Sequence, residues 1–336
     1  MMNTPEQLLE CVANFSEGRD VEVIEQIVSS IDNVEGTFVL HVDRSPSANR
    51  TVITFAGTPN EVITSAYNAI EKAAELIDMR RQEGVHPRIG ATDVCPLIPL
   101  KGISIEETIA LSRQLGEKVG AELNIPIYLY EYSAREAYRK ALPTIRKGQY
   151  DGFAKKMKEA TWQPDYGPQL FNEQTGATVI GARDILVAFN ISLNTKDERK
   201  AQYIASRIRE SGYINPDTKE RAAGRLKKLR AIGWYMSDFE CAQVSMNLLD
   251  YRVTSPLKVW NASKELASEV GVELVGSELI GLMPEACLLE AGGWKQGDDK
   301  EVILQKGIDY LGLDKVKPFT VREKILEYRL EEVGLI

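Results

Sequence analysis

The alternation of strand-like and helix-like segments along the whole chain constrains its fold more than any other feature. Segments rich in β-branched and aromatic residues, such as residues 36–43 and 51–57, predict strands. Thr58 and Ser104, each followed three residues later by a glutamate, mark the starts of amphipathic helices. Because strands and helices recur in both halves, we expect an α/β (α+β) fold in which helices cover sheets.

The second half of the chain continues the same pattern. Further strands are predicted at residues 126–130, 184–192, 230–236 and 240–249. Helices are predicted at residues 196–209 and 255–270, and a last helix from Thr320.

An irregular stretch at residues 162–175 separates the two halves. It contains two prolines and is long for a plain connection, and loops of that length are usually functional or disordered. Its aromatic side chains, Trp162, Tyr166 and Phe171, favour packing over disorder. We expect the subdomain boundary just after it, between residues 174 and 184.

The charge balance excludes several classes of protein. The 336 residues include 41 Lys and Arg against 49 Asp and Glu, a net charge of −8, which argues against general nucleic-acid binding. No run of about 18 apolar residues predicts a membrane helix, and the start lacks the pattern of a secretory signal. We therefore expect a cytoplasmic protein without a membrane partner, whose four scattered cysteines are reduced.

Only two histidines occur, His41 and His86. Zinc sites usually combine three or four His and Cys ligands, and here the six such residues are scattered singly, so we expect no metal. Phosphate-binding glycine loops and the GxSxG nucleophile motif are also absent from the sequence.

His86 is the strongest candidate for proton transfer. It lies in the loop-like stretch GVHPRIG at residues 84–90, with Arg88 two residues further on and Asp93 seven. Histidine titrates near neutral pH and therefore both accepts and donates protons in group transfer. The alternative is a loop histidine that is bonded to a carbonyl.

Asp43 ends a predicted strand, where polar site residues are common in α/β sheets. The alternative is an aspartate that forms a turn with its own backbone. His41 shares its side of the strand and suggests a metal pair, but a third ligand is missing and we favour a structural role. In NFSEG, residues 14–18, Asn14 and Ser16 either line a pocket or cap the helix expected near Asp20.

Residues 221–230 hold five basic side chains in ten. Such a cluster either binds a carboxylate or phosphate, or is a solvated surface. We favour the solvated surface, because charge runs usually have that role.

These motifs together resemble the formiminotransferase family. The matching stretches run in order along the chain, at residues 10–18, 47–52, 76–96, 126–130, 162–168, 175–191, 224–235, 243–250 and 275–284. Each stretch is only moderately specific, but the ordered set covers nearly the whole chain.

The resemblance implies that a formimino group passes from N-formimino-L-glutamate to N5 of tetrahydrofolate, a late step of histidine degradation. It assigns His86 as the catalytic histidine and Asp43 as its partner, with tetrahydrofolate as co-substrate. Val85, which precedes the histidine, and His41 stand where the animal enzyme has acidic residues, so this chain departs from the family pattern at both positions.

Further residues are expected to bind the two substrates. Asn14 and Ser16 belong to the NFSEG stretch, and the cations Arg50 and Arg88 are suited to substrate carboxylates. The resemblance adds a folate-binding loop formed by Gly167, Pro168, Gln169, Leu170, Phe171, Asn172, Glu173, Gln174, Thr175 and Gly176.

The resemblance also implies an architecture. It predicts two subdomains, residues 1–183 and 184–336, each a mixed sheet covered by helices on one side. The sheets are expected to face each other around a ligand tunnel, and the protein to form a homodimer. Because the chain ends at Ile336, we expect any cyclodeaminase to be a separate protein.

Two other functions stay open at this stage. One is a related folate-dependent formyltransferase that uses formylglutamate or 5-formyltetrahydrofolate. The other is a folate-binding protein without turnover. Donor preference, folate polyglutamate preference and the order of proton transfers between His86 and Asp43 are not encoded in any pattern that we recognise.

Overall fold

The computed structural model describes residues 4–336, which form two compact units. The first unit ends at Arg183 and also includes Leu330–Ile336, and the second is Asp184–Arg329. The closing residues, which were expected in the second subdomain, therefore group with the first unit. Across residues 4–336, each helix is too short or too polar to cross a membrane.

The first unit is built on one six-stranded sheet. Its strands are β1 (Leu8–Phe15), β2 (Thr37–Ser45), β3 (Arg50–Gly57), β4 (Thr92–Lys101), β5 (Ile127–Leu129) and β6 (Thr178–Ala182). Its helices are α1 (Val21–Asp32), α2 (Pro59–Leu76), α3 (Ile105–Glu122), α4 (Leu142–Arg146) and α5 (Gln149–Lys156). The strand order is β2-β3-β1-β4-β6-β5, antiparallel up to β4 and parallel beyond it, so this sheet is mixed as expected.

The two faces of this sheet carry different side chains. Cys11, Phe15 and Phe55 belong to the face whose core contains the buried residues of α1, α2 and α3. On the opposite face, α5 packs on β5 through the edge-to-face contact of Phe153 with Tyr128. On β1, β2 and β3, the residues that point to this opposite face include polar ones such as Asn14.

The second unit has its own four-stranded sheet. It contains β7 (Val187–Leu193), α6 (Glu198–Ile208), β8 (Tyr213–Ile214), β9 (Arg221–Ala222), β10 (Leu229–Met236), β11 (Cys241–Leu248), α7 (Pro256–Glu269), β12 (Leu274–Ile280), α8 (Glu285–Gly292), α9 (Lys300–Leu311), α10 (Val321–Lys324) and the start of α11 (Leu326–Glu332). Alternate residues of β7, Val187, Phe189 and Ile191, enter a core shared with α6, α7, α8 and α9. Helices therefore cover one face of this sheet, as expected.

The expectation of a mixed sheet is wrong for this second unit. The order is β10-β11-β7-β12, and every neighbouring pair is antiparallel. A tight turn through Ser237–Phe239 joins β10 to β11 as a hairpin, which fixes their antiparallel direction.

The predicted helix starts are confirmed, with differences in their capping. Ser104 forms a complete capping box with Glu107. Thr58 is the N-cap of α2, but its hydroxyl makes no capping hydrogen bond. The helix predicted from Thr320 ends after one turn at Lys324. Asp20 caps α1, so the reading of Asn14 or Ser16 as its cap is wrong.

The N-caps Ser104 and Thr58 give a matched test. We expect Ser104→Ala to lower the free energy of unfolding by about 1 kcal/mol, because it removes a side-chain acceptor from the amide of residue 107. Thr58→Ala should cost only a few tenths of a kcal/mol, because no capping bond is lost. Urea unfolding measures both variants, and equal losses would contradict the capping assignment.

Candidate active site

A buried carboxylate, Asp93, lies at the centre of the candidate site. Between Asn14 and Phe15 the pairing of β1 with β4 shifts by one residue, and Asp93 is the extra residue of this bulge. Asp93 Oδ2 accepts hydrogen bonds from Arg50 Nη1, at 2.8 Å, and from Arg146 Nη2. Its Oδ1 accepts from the Ile89 amide at 3.0 Å and from Arg146 Nε at 3.3 Å.

The two guanidinium groups hold Asp93 ionised. Burial alone would raise the pKa of a carboxyl group that is fully excluded from solvent. The charges of Arg146 and Arg50 outweigh this effect and lower the pKa of Asp93 to about 2. Asp93 is therefore an anion throughout the physiological range of pH.

Arg50 joins this carboxylate to the end of β1. Its Nε and Nη2 donate to Asn14 Oδ1 at 3.1 and 2.7 Å, while Nη1 donates to Asp93. The structure thus brings together two residues that the sequence predicted for binding, Asn14 and Arg50, and locks the planar guanidinium between an amide and a carboxylate.

His86 lies on the loop that Asp93 anchors through the Ile89 amide. Its Nδ1 is 2.8 Å from the Pro87 carbonyl oxygen. A carbonyl only accepts hydrogen bonds, so Nδ1 carries the hydrogen and Nε2 of the neutral ring carries the lone pair. The alternative role, a loop histidine bonded to a carbonyl, is therefore correct for Nδ1. Nε2 carries the lone pair that a base needs.

The pKa of His86 is lowered well below its usual value. Burial of the ring is the main cause, and the charges of Arg50 and Arg146 add to it. The negative charge of Asp93 opposes the shift only in part. At neutral pH the imidazole is therefore uncharged.

Two predicted binding residues hold the His86 loop in place. Arg88 donates from Nη1 to the Gly84 carbonyl at 3.1 Å and from Nη2 to the Gln82 carbonyl. Ser16 is fully buried, and its hydroxyl donates to the Gly90 carbonyl at 2.7 Å. Both side chains therefore donate their hydrogen bonds to backbone carbonyls of the His86 loop.

The predicted folate-binding loop is joined to the other side of the His86 loop. The Ala91 amide donates to the Thr175 carbonyl at 2.7 Å, and the Ala177 amide donates to the Ile89 carbonyl at 3.0 Å. Asn172 Oδ1 accepts the amides of residues 174 and 175, each at 3.1 Å, which shapes the turn. Leu170 projects from this loop with 80% of its surface exposed.

Glycine is required where the two loops meet. A Cβ on Gly90 would lie 2.2 Å from the Ala177 carbonyl oxygen. Gly176 has a φ of +67° and faces Gly90 across an isolated bridge. The close approach of the two backbones therefore depends on this pair.

Asp43 lies on β2, at the edge of the same sheet. Its carboxylate is 3.5 Å from His41 Nε2. Asp43 pairs with Val52, and Val52 pairs with Asn14, so these residues form one row across three strands. Two strand spacings separate Asp43 from Asn14, about 10 Å. The pairing of Asp43 with His86 remains a prediction.

Other candidates are used elsewhere in the fold. Arg225, in the basic cluster 221–230, donates to Glu265 and Glu269 at 2.8 and 3.0 Å, as expected of a surface charge cluster. Trp162 packs edge-to-face on Tyr138, at 5.7 Å between ring centroids. Among residues 4–336, no three His, Cys, Asp or Glu side chains are grouped to hold a metal ion.

Comparison with known proteins decides the family. Residues 8–183 match the family model described as "Formiminotransferase domain, N-terminal subdomain", and residues 188–331 match the one described as "Formiminotransferase domain". The chain belongs to the formiminotransferase family. The sequence resemblance to this family is thereby confirmed.

Curated relatives of two lengths match this family member. A formimidoyltransferase-cyclodeaminase of Rattus norvegicus is 43% identical over 334 residues, which cover 98% of this chain and 61% of the relative. Glutamate formimidoyltransferases of Streptococcus pyogenes and Thermoplasma acidophilum are 39% and 37% identical, over 84% and 90% of this chain and 91% and 97% of their own lengths. The chain thus spans about three fifths of the longer relatives and nearly all of the shorter ones.

Two residues of this candidate site were not predicted from the sequence. Asp93 appeared only as a neighbour of His86, although a lone carboxylate in the apolar stretch of β4 was a usable signal. Arg146 carried no signal, because it reaches Asp93 across 53 positions of the sequence.

The junction of the two loops gives a second matched test. We expect Gly90→Ala to lower the free energy of unfolding by about 2 kcal/mol, because its methyl group would overlap the Ala177 carbonyl. Gly152→Ala, in α5, meets no atom within 4 Å and should be neutral or stabilising by up to about 1 kcal/mol.

Urea unfolding together with amide hydrogen exchange checks this prediction. In Gly90→Ala the amides of Ala91 and Ala177 should exchange faster, because their hydrogen bonds across the junction weaken. Wild-type stability and exchange in Gly90→Ala would contradict the proposed close approach of the loops.

Proposed function

We propose that this protein transfers the formimino group of N-formimino-L-glutamate to N5 of tetrahydrofolate, giving 5-formiminotetrahydrofolate and L-glutamate. The curated names of the relatives that match it over nearly their whole length support this reaction. The structural observation that carries the proposal is the 2.8 Å contact of His86 Nδ1 with the Pro87 carbonyl, which assigns the hydrogen to Nδ1 and the lone pair of the neutral ring to Nε2.

The reaction needs one proton to move between two nitrogens. N5 of tetrahydrofolate attacks the amidine carbon and forms the N5–C bond of a tetrahedral intermediate. His86 Nε2 removes the proton from N5 and then delivers it to the nitrogen of glutamate. The C–N bond to glutamate breaks, and the imino nitrogen stays on the transferred carbon.

The charges around His86 suit both halves of this transfer. Burial of the ring, together with the charges of Arg50 and Arg146, lowers the pKa of His86, so the neutral ring accepts a proton at neutral pH. The same charges make the imidazolium a stronger acid, which favours protonation of a poor amine leaving group. Proton transfer of this kind contributes a factor of about 10² to 10⁴ to the rate.

The other predicted residues have supporting roles in the proposal. Asp43 orients His86 or accepts its proton, and Asn14 and Arg50 present polar groups to substrate. Ser16 and Arg88 hold the His86 loop through its carbonyls. The loop from Gly167 to Gly176 binds tetrahydrofolate, and its junction with the His86 loop supports this role by bringing the co-substrate to the base.

The resemblance to the family extends the proposal beyond the site. We propose that the reaction is part of histidine degradation and one-carbon metabolism. A homodimer in the cytoplasm is proposed on the same ground. Size-exclusion chromatography with light scattering tests the dimer.

Replacement of the histidine tests the proposed chemistry. We expect His86→Ala to lower kcat by about 10² to 10⁴, because the variant removes the proposed base and acid. Tetrahydrofolate should bind with a Kd within about threefold of the wild-type value. Turnover is followed by acidifying the mixture and recording the methenyltetrahydrofolate absorbance, with N-formylglutamate as a parallel donor.

The outcomes separate the candidate functions. Turnover with the formimino donor that is lost in His86→Ala establishes the transferase. Turnover with the formyl donor alone would contradict it in favour of a formyltransferase. Folate binding without turnover of either donor would contradict it in favour of a binding protein. His41→Gln is the comparison variant, because it removes the other histidine of the chain.

A further inference from the structure

Arg146 has hydrogen-bonding capacity that the protein does not use. This arginine ends α4, and both bonds that its guanidinium makes, from Nε and Nη2, go to Asp93. Nη1 has no hydrogen-bond partner among the side chains and backbone of residues 4–336. The side chain keeps 13% of its surface exposed, so a small solute has access to it.

The charges at this place do not balance. One carboxylate, Asp93, lies between two guanidinium groups, and its four hydrogen bonds leave little capacity for more. The nearby His86 ring is neutral at physiological pH. The cluster of Arg50, Asp93 and Arg146 thus has an excess of one positive charge in a poorly hydrated setting, which an anion would stabilise.

We propose that Arg146 Nη1, together with Arg50, binds the α-carboxylate of the formimino-amino-acid donor. The inference rests on the proposed function and deepens it, because it identifies the donor by a group that is not transferred.

The covalent geometry of the two substrates decides which of their carboxylates binds Arg146. In N-formimino-glutamate the carbon that bears the α-carboxylate also bears the leaving nitrogen, which places the carboxylate oxygens about 3 to 4 Å from that nitrogen. The carboxylates of tetrahydrofolate are separated from N5 by the whole aminobenzoyl group. Arg146 binds Asp93, and Asp93 accepts the Ile89 amide of the His86 loop, so a cation at this place meets the α-carboxylate of the donor.

Such binding also tunes the histidine. A carboxylate on Arg146 offsets the excess charge that lowers the pKa of His86 in the free protein. The pKa of His86 then rises when the donor is bound, which brings the ring closer to the working pH for proton transfer. Three elements contribute charged groups to this effect: β3 with Arg50, β4 with Asp93 and α4 with Arg146.

The test compares two donors that differ only in this carboxylate. N-formimino-4-aminobutyrate is N-formimino-glutamate without its α-carboxylate. In the wild-type protein we expect kcat/KM to be about 10- to 100-fold higher for the glutamate donor, the size of a charged hydrogen-bonded contact. In Arg146→Gln the ratio should fall to within about threefold of one.

Matched variants guard the interpretation. Lys147→Gln removes an equal charge from the neighbouring, exposed position and should keep the wild-type ratio. Arg146→Lys keeps the charge without the planar fork and should give an intermediate ratio. If Arg146→Gln fails to fold, an unchanged ratio in Arg146→Lys overturns the inference and a reduced ratio supports it.

The outcomes also distinguish the inference from the function on which it rests. A wild-type protein that is inactive with every donor would overturn both. Normal turnover with the same donor ratio in Arg146→Gln would overturn the inference alone. Tetrahydropteroate, which lacks the glutamate of folate, provides the last arm. If Arg146→Gln instead removed a preference for tetrahydrofolate over tetrahydropteroate, the arginine would bind the folate tail and the inference would be wrong.

Discussion

The buried ion cluster of Asp93 with Arg50 and Arg146 is the interaction on which the site depends. It joins β3, β4 and α4, and through the Ile89 amide it also fixes the loop of His86. Removing one partner of such a buried cluster typically costs about 3 to 5 kcal/mol, because the remaining charge stays desolvated. After burial of the ring, the charges of Arg50 and Arg146 are the next causes that lower the pKa of His86, so the same residues stabilise the fold and tune the base.

The topology of the first sheet explains why this cluster lies where it does. One face of β1, β3 and β4 is filled by apolar side chains such as Phe15 and Phe55 that pack on helices. The opposite face of β1 and β3 carries the polar residues Asn14 and Arg50. The bulge at Asp93 interrupts the strict alternation of β4, so a carboxylate at this position meets Arg50 of β3 and the arginine of α4.

Interactions between residues close in sequence made much of the fold predictable. Interactions between residues far apart in sequence were missed. Ser104 and Glu107 act within one helical turn, so their spacing alone revealed the start of α3. Ser16 was expected either to line a pocket or to cap the first helix, yet its hydroxyl is bonded to Gly90, 74 positions away. Contacts of that range leave no periodic trace in a single sequence. The motif around His86 was recognisable because its residues are consecutive. The contact of Arg146 with Asp93 became visible only in the folded structure.

The proposed chemistry requires that burial, together with the charges of Arg50 and Arg146, keeps His86 neutral with its hydrogen on Nδ1. NMR of protein labelled with ¹⁵N-histidine tests it directly, because the chain has only two histidines and His86→Gln assigns the signals. We predict that His86 titrates well below pH 6.5 and that its neutral ring is protonated at Nδ1. A pKa at or above 6.5, or a neutral ring protonated at Nε2, would contradict it.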